Sequence, residues 1–409
     1  MTIRKVTQES LLRQEELLIG KDPLTEALKE EVSEKIQWII EEEVKQVLGT
    51  ESYGRIKERM GYRHGYKPRT ICTSMGESKV DFPRARLIKQ DGSSEEWHSN
   101  MLPKYHRRTK AIDDTIVSIY LCGANTRRIK KALYPLLKEA ALSKSAVSRL
   151  VERLKESFEK WRLISLADRK FVYIYADAIN IKVRAAGRVV KMPVLAVVGV
   201  REDGKKELLA LDMRGSESEA AWTDVLSSLV KRGLNRPKLV MADGNDGLLN
   251  AIAKQWSGID VQRCFVHKHR NLMTYTPEHA KEEVSTDYNA IFYAESLEQA
   301  KQIYAAFVAK WSKKLERMVR SLQEAGEQLL TFYKYPPAQW KSLRSTNVIE
   351  RVNLEFRRRV KTQGSLPTED SVLILLFALY ASGQITMQRL IGFKELDKVV
   401  EKNNLQSVA

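Results

Sequence analysis

The chain has 409 residues, with 69 Lys+Arg against 52 Asp+Glu and a formal charge of +17. That length predicts two to three domains at ~150 residues each, and 20 Gly with 11 Pro exclude a collagenous or low-complexity chain. The longest apolar run, Val372 to Ala381, is about half of what a membrane span needs, the start MTIRKVTQESLLRQEEL lacks the apolar stretch of a secretion signal, and three scattered cysteines (Cys72, Cys122, Cys264) form no disulfide framework, so a reducing cytoplasm is expected.

The charge is unevenly spread. Residues 1–50 carry 7 Lys+Arg and 11 Asp+Glu, net −4, so the remaining 359 carry +21. In the acidic piece Leu24, Leu28, Val32 and Ile36, then Ile39, Ile40 and Val44, follow helical spacing behind Asp22-Pro23, a good helix start. A net-negative helix suits packing or dimerisation better than contact with a polyanion. Residues 51–100 form a second segment, where glycines and prolines punctuate short runs such as RTICTSM and SKVDFPRARL. There Arg55, Lys57, Arg59, Arg63, His64, Lys67 and Arg69 interleave with Tyr53, Tyr62 and Tyr66, a mixture able to follow phosphates and stack on bases, or simply to coat a solvated loop.

Residues 101–165 read as three helices and hold, up to 163, 15 Lys+Arg against 6 Asp+Glu. Thr109 to Leu121 is followed by a Cys122-Gly123-Ala124 turn, then RRIKKALYPLLKE behind Asn125 or Thr126, then, after the short link AALS, KSAVSRLVERLKESFEKW capped by Ser143. The last two helices have the pattern of a helix-turn-helix unit that reads double-stranded DNA, with Lys144, Ser145, Ser148, Arg149 and Arg153 on the second helix and Arg127 and Arg128 on the first. The alternative is a plain helical bundle with a basic face.

From residue 166 to 270 the texture turns to strands. FVYIYADAI (171–179), MPVLAVVGV (192–200) and KKELLALDMR (205–214) make an antiparallel meander with a turn at Arg201-Glu202-Asp203-Gly204. A helix from Ser218 to Lys231, the strand PKLVMADG, the helix GLLNAIAKQW and a strand DVQRCFVH (260–267) follow. This order, β-β-β-α-β-α-β-α, resembles the RNase H-like α/β fold, with Asp177 near the end of one central strand and Asp243 at the end of its neighbour. Two carboxylates so placed repel unless a cation separates them, and Mg²⁺, an oxygen-seeking ion, is the expected one. A third ligand has to come from elsewhere. Glu350 is the candidate, on a helix with Val348, Ile349, Val352 and Phe356, although a capping box with Asn347 would occupy the same carboxylate. Glu355 is the runner-up, and Asp212 and Asp246 read as surface or turn acids. Residues 271–340 hold no credible strand and read as an all-α insertion domain that interrupts the core before it resumes at 341–395, leaving a tail at 396–409.

Four ordered motifs, Asp177-Ala178-Ile179-Asn180-Ile181-Lys182-Val183-Arg184, Asp243-Gly244-Asn245-Asp246-Gly247-Leu248, Cys264-Phe265-Val266-His267-Lys268-His269-Arg270-Asn271 and Thr346-Asn347-Val348-Ile349-Glu350-Arg351-Val352-Asn353, resemble those of Mutator-like bacterial insertion-sequence transposases. The resemblance spans about residues 50 to 390. It implies a DDE triad carried over onto Asp177, Asp243 and Glu350, with the helical insertion covering the active site or gripping DNA. It further implies that His267 works beside the triad, with Cys264 mostly packing. Cys264-x-x-His267 lacks the second ligand pair of a structural zinc site. His269, Arg270, Arg351, Arg357, Arg358 and Arg359 are candidate DNA contacts. The expected chemistry is two-metal phosphoryl transfer, Asp177 bridging two Mg²⁺ (or Mn²⁺) ions ~3.5–4 Å apart, with Asp243 and Glu350 each holding one. The expected partners are the element's terminal inverted repeats, a target duplex and a second copy of the chain, on the bacterial nucleoid. A nuclease or resolvase that does not join strands, and a transposon-derived DNA-binding protein without catalysis, are the alternatives.

Overall fold

The computed structural model describes residues 22–51, 54, 60–89, 91–124, 126–137, 144–185, 187–363, 366 and 368–400. Tyr53, Arg55, Lys57, Arg59, Asn125, the interhelical link with Ser143, and the tail from 401 lie outside them, as do the side chains of Lys144, Ser145 and Ser148. The chain divides into two compact units, Met1–Glu152 and Arg153–Ala409. Together the described residues form 13 α-helices and two sheets. None of those helices is long and apolar enough to cross a membrane.

In the first unit, α1 (Pro23–Leu48) starts where proline and Asp22 predict, with Asp22 Oδ1 accepting from Leu24 N at 3.1 Å. Only its C-terminal half faces inward: Ile40, Val44 and Leu48 pack with Ile71, Val80 and Trp97, whereas Leu24 is 67% exposed. The segment read as short runs is instead a long hairpin of β1 (Gly61–Thr73) and β2 (Gly76–Ile88), joined by β3 (Ser94–Glu96). Its glycines shape the ladder rather than break it. Gly65 sits at φ 77 inside the register shift between Arg63 and Tyr66, and Gly76 at φ 114 opens the return strand. Helices α2 (Lys110–Leu121), α3 (Thr126–Leu137) and α4 (Lys144–Leu163) follow, and Ile112, Ile116, Ile129, Leu133 and Leu150 enclose Cys72 in a separate core. Arg127, Arg128, Arg149 and Arg153 are exposed on α3 and α4.

The second unit is built on a five-stranded sheet. β4 (Phe171–Ala185), β5 (Arg188–Arg201) and β6 (Lys206–Met213) form the antiparallel meander. Then come α5 (Glu219–Lys231), β7 (Leu239–Ala242), α6 (Asp246–Gln255), β8 (Asp260–Arg263) and α7 (Phe265–Thr274). The spatial order is β6-β5-β4-β7-β8, with β4–β7 and β7–β8 parallel. Strand alternation divides β4 between two faces. Ile174 and Ala176 join Trp222, Val225, Leu226, Leu248 and Ile252 of α5 and α6 in one core. Tyr173, Tyr175 and Asp177 point to the opposite face.

Residues 271–340 hold α8 (Lys281–Phe292), α9 (Leu297–Trp311), α10 (Glu316–Ala325), short 3-10 turns and the first residue of α11 (Trp340–Leu343), and no strand. Buried Gln262 ties this stretch to β8, its Nε2 donating to the Leu329 carbonyl at 2.9 Å and its Oε1 accepting from Phe332 N at 2.8 Å. Glu324 of α10 meets two buried cations, Arg263 at 2.5 Å and Lys268 at 2.9 Å. Glu324→Ala leaves both without their carboxylate, and because Glu324 itself is half-exposed the expected loss is about 2 kcal/mol, read from the urea midpoint. The chain closes with α12 (Asn347–Gln363) and α13 (Glu369–Ala381), whose buried run from Val372 to Leu379 is the long apolar stretch of the sequence.

Candidate active site

The acidic residues meet through the register of β4 and β7. Their last pair is Tyr175 with Met241, so two residues further Asp177 and Asp243 come level. Asp177 is therefore in the middle of a long strand, not near its end as its sequence context suggested; it is β7 that stops, at Ala242. After Asp243 the chain turns through Gly244 at φ 95, where a Cβ would strike the Arg263 guanidinium at 2.6 Å. Asp243 Oδ1 accepts from Asn245 N at 3.0 Å, and the Asn245 side chain caps α6 through Leu248 N.

The three outward residues of β4 dock the segment that carries Glu350. Tyr173 Oη donates to Gln339 Oε1 at 2.6 Å, Tyr175 Oη donates to the Ser342 carbonyl at 2.9 Å, and Asp177 Oδ2 accepts from Asn353 Nδ2 at 2.8 Å. Asn353 lies one turn after Glu350, so the same face of α12 presents both to the acids. The Glu350 carboxylate is not spent on a capping box: its Oε1 lies 3.2 Å from His267 Nε2 and accepts from Arg270 Nη1 at 3.3 Å. Glu355 pairs with Arg358 at 2.8 Å, Asp212 with Arg214 at 2.8 Å, and Asp246 opens α6.

The Cys264-x-x-His267 motif is not on a strand as expected. β8 ends at Arg263, Cys264 N donates to the Ala242 carbonyl at 2.7 Å, and Cys264 caps α7, placing His267 in the first helical turn. That turn brings the two side chains to the same place. Cys264 Sγ, a His267 ring nitrogen and a Glu350 oxygen lie within 4.8 Å of one another. Thr346, ahead of α12, donates from its N to Cys264 Sγ at 3.3 Å and has its hydroxyl 3.4 Å from His267 Nδ1.

Charge in this cluster is unbalanced. Burial pushes the Asp177 carboxyl up to about 7, and the Asp243 and Glu350 carboxylates push it the same way against His267. The Cys264 hydrogen bond, with the Asp177 and Glu350 charges, lifts His267 well above the usual imidazole range despite its burial, so the ring favours its cationic form. Glu217 is a further acid beside Asp243, raised by burial and by that neighbour, with Asn245 Nδ2 3.5 Å away. Asn353 Oδ1 is buried and has no hydrogen-bond partner among the described residues. Hard oxygen donors with an uncompensated buried carboxylate suit Mg²⁺ or Mn²⁺. The thiol, imidazole and carboxylate of the neighbouring triplet leave a closed tetrahedral zinc site one ligand short.

Sequence reasoning missed Glu217 and Asn353. Asn353 carried a signal, the three-residue spacing from Glu350, while nothing in the run Ser216-Glu217-Ser218-Glu219 marks its first acid. The remaining candidates scatter. His269 Nε2 is 2.9 Å from Ser285 Oγ and its ring lies 5.4 Å from Tyr288, so it faces α8. Arg351, Arg357 and Arg358 are exposed on α12 and Arg359 is half-buried there. Arg127, Arg128, Lys144, Ser145, Ser148 and Arg149 belong to the first unit and Arg153 to the second.

The site is thus an oxygen-rich acidic cluster on a mixed sheet, edged by His267 and Arg270. The chain belongs to the Mutator family of transposases: the model of that family matches residues 1–388. Curated relatives agree. The transposase for insertion sequence element ISRM5 of Rhizobium meliloti (strain 1021) is 34% identical over 354 residues, 87% of each chain. The transposase for IS406 of Burkholderia multivorans is 33% identical over 336 residues, 82% of this chain and 84% of its own. The transposase for IS256 in transposon Tn4001 of Staphylococcus aureus is 28% identical over 360 residues, 86% of this chain and 90% of its own.

Proposed function

We propose that this chain is a metal-dependent DNA transposase with an RNase H-like core, an all-α insertion and Asp177, Asp243 and Glu350 as its catalytic acids. The observation that carries the reading is the register that brings Asp177 of β4 level with Asp243, just past the end of its parallel neighbour β7, with Asn353 of the Glu350 helix bonded to Asp177. The strand order and the strandless stretch before Glu350 support it too. Asp177, Asp243 and Glu350 would hold Mg²⁺, which would supply Lewis-acid activation of a water or a DNA 3′-hydroxyl and charge neutralisation at the scissile phosphate. Asn353 fixes the Asp177 carboxylate. His267 and Arg270, both against Glu350, put positive charge where a scissile phosphate would approach the acids. The basic residues of the first unit, Arg127, Arg128 and Arg149 among them, are the candidates for binding the terminal inverted repeats. Two element ends have to be brought together, so the working form is a homodimer.

The test supplies a pre-cut element end bearing a 3′-hydroxyl, a target plasmid and Mg²⁺ or Mn²⁺. Joined product is expected with either ion and none in EDTA. Asp243→Asn and Glu350→Gln should bind the end normally yet join nothing. Hydrolysis without joining would favour a nuclease. End binding with no reaction in any arm would leave only a DNA-binding protein.

A further inference from the structure

Helix α12 separates two surfaces. Glu350 and Asn353 serve the acidic cluster, while Asn347, Arg351 and Glu355, one stripe round the helix, line a groove of about 570 Å³ whose other walls include Lys206, Lys341 and Arg389. Four cations thus meet one carboxylate, and Glu355 is already held by Arg358 at 2.8 Å. Among the described residues none of Lys206, Lys341, Arg351 and Arg389 forms a salt bridge. Lys206 is half-buried, its ammonium reaching only the Arg389 carbonyl, at 3.5 Å, among the described residues. Burial, then the Arg351 charge, lower it to about 8. Lys341, Arg351 and Arg389 are exposed, so the groove presents a positive face that a polyanion complements.

The groove has no aromatic side chain in its lining, so it offers no platform for a base. Its cations outnumber its one carboxylate, so it favours phosphate over stacked bases, with Asn347, Gln384 and Gln388 as further hydrogen-bonding groups. A duplex held by its backbone, without regard to sequence, has that chemistry. We infer that this groove grips the phosphodiester backbone of the target duplex, beside the acids. The inference rests on the transposase function proposed above. It adds Lys206, Lys341 and Arg389 as a target-binding set.

The test is the triple variant Lys206→Gln/Lys341→Gln/Arg389→Gln in the full chain, against wild type and the charge-retaining Lys206→Arg/Lys341→Arg/Arg389→Lys. In EDTA, affinity for a random-sequence duplex should fall on the order of 100-fold at ~0.1 M salt, with the slope of log affinity against log salt shallower by roughly 2 to 3. Binding and cleavage of element ends should stay within twofold of wild type, and joining to target should drop in step with duplex affinity. The charge-retaining variant should recover both, and an unchanged melting temperature shows that the fold is intact. Unchanged random-duplex binding and joining would overturn the inference, as would equal losses at element ends and target. A wild-type protein that neither cleaves nor joins would instead remove the transposase reading itself.

Discussion

Asp177→Asn should abolish joining of a 3′-hydroxyl end while making the metal-free protein more stable above neutral pH. The loss of joining follows from removing the most central carboxylate of the cluster. The gain in stability follows from what that carboxylate costs when nothing neutralises it. Burial first, then Asp243 and Glu350, raise its folded-state value from 3.8 to about 7. The folded chain therefore keeps a proton that the unfolded chain releases near pH 4, and stability falls as pH rises between those values. About three pH units at ~1.4 kcal/mol each give a penalty near 4 kcal/mol, fully present above pH ~7 and absent below pH ~4. Asparagine carries no charge but offers one oxygen where Asp177 offers two to Ala178 N and Asn353 Nδ2, which costs about 1 kcal/mol. The variant should thus melt several degrees above wild type in EDTA at about pH 8 and slightly below it at about pH 4. Adding Mg²⁺ should close the gap at high pH, because the ion stabilises only the chain that binds it. Equal melting curves at both pH values, or normal joining by the variant, would take Asp177 out of this role.

Much of the core was readable because its strands are β-branched runs bounded by turns. The meander, the order of the following helices and strands, and the caps at Asp22 and Ser218 follow from local chemistry. What failed were features set by distant partners. Periodicity over four residues cannot separate the end of a buried strand from the start of a helix, so DVQRCFVH read as one strand although pairing stops at Arg263 and Cys264 begins α7. Gly65 looked like a break because a bulge and a turn use the same residue, and only the ladder around it tells them apart. Leu24 matched the helical stripe, but the hairpin covers only the C-terminal half of α1. Within the site, Asp177 and Asp243 were named from their strands, yet their level placement depends on where β7 ends against β4. Glu217 and Lys206 gave no local signal, since each gains its meaning from segments far away in the chain.

Asn353 offers the sharpest separation of packing from function. Its Nδ2 holds Asp177 Oδ2 at 2.8 Å, while its buried Oδ1 has no partner among the described residues. A residue retained only for packing would have no reason to keep an unsatisfied oxygen beside three acids, because an apolar side chain of similar size avoids that cost. The amide is explained if one end orients the carboxylate that binds the ion and the other accepts from water held near it. Asn353→Ala and the bulkier Asn353→Leu should then share one defect: Mn²⁺ affinity by calorimetry lower by roughly 10- to 100-fold, the usual cost of losing a group that orients a metal ligand. The metal concentration needed for half-maximal joining should rise in parallel, and saturating metal should restore most of the rate. Asn353→Ala opens a cavity and Asn353→Leu overpacks the same buried site, so a metal defect common to both cannot come from one packing error. If both variants lowered the melting temperature but bound Mn²⁺ as wild type does, Asn353 would be a packing residue, and Asp177 would be held by the strand alone.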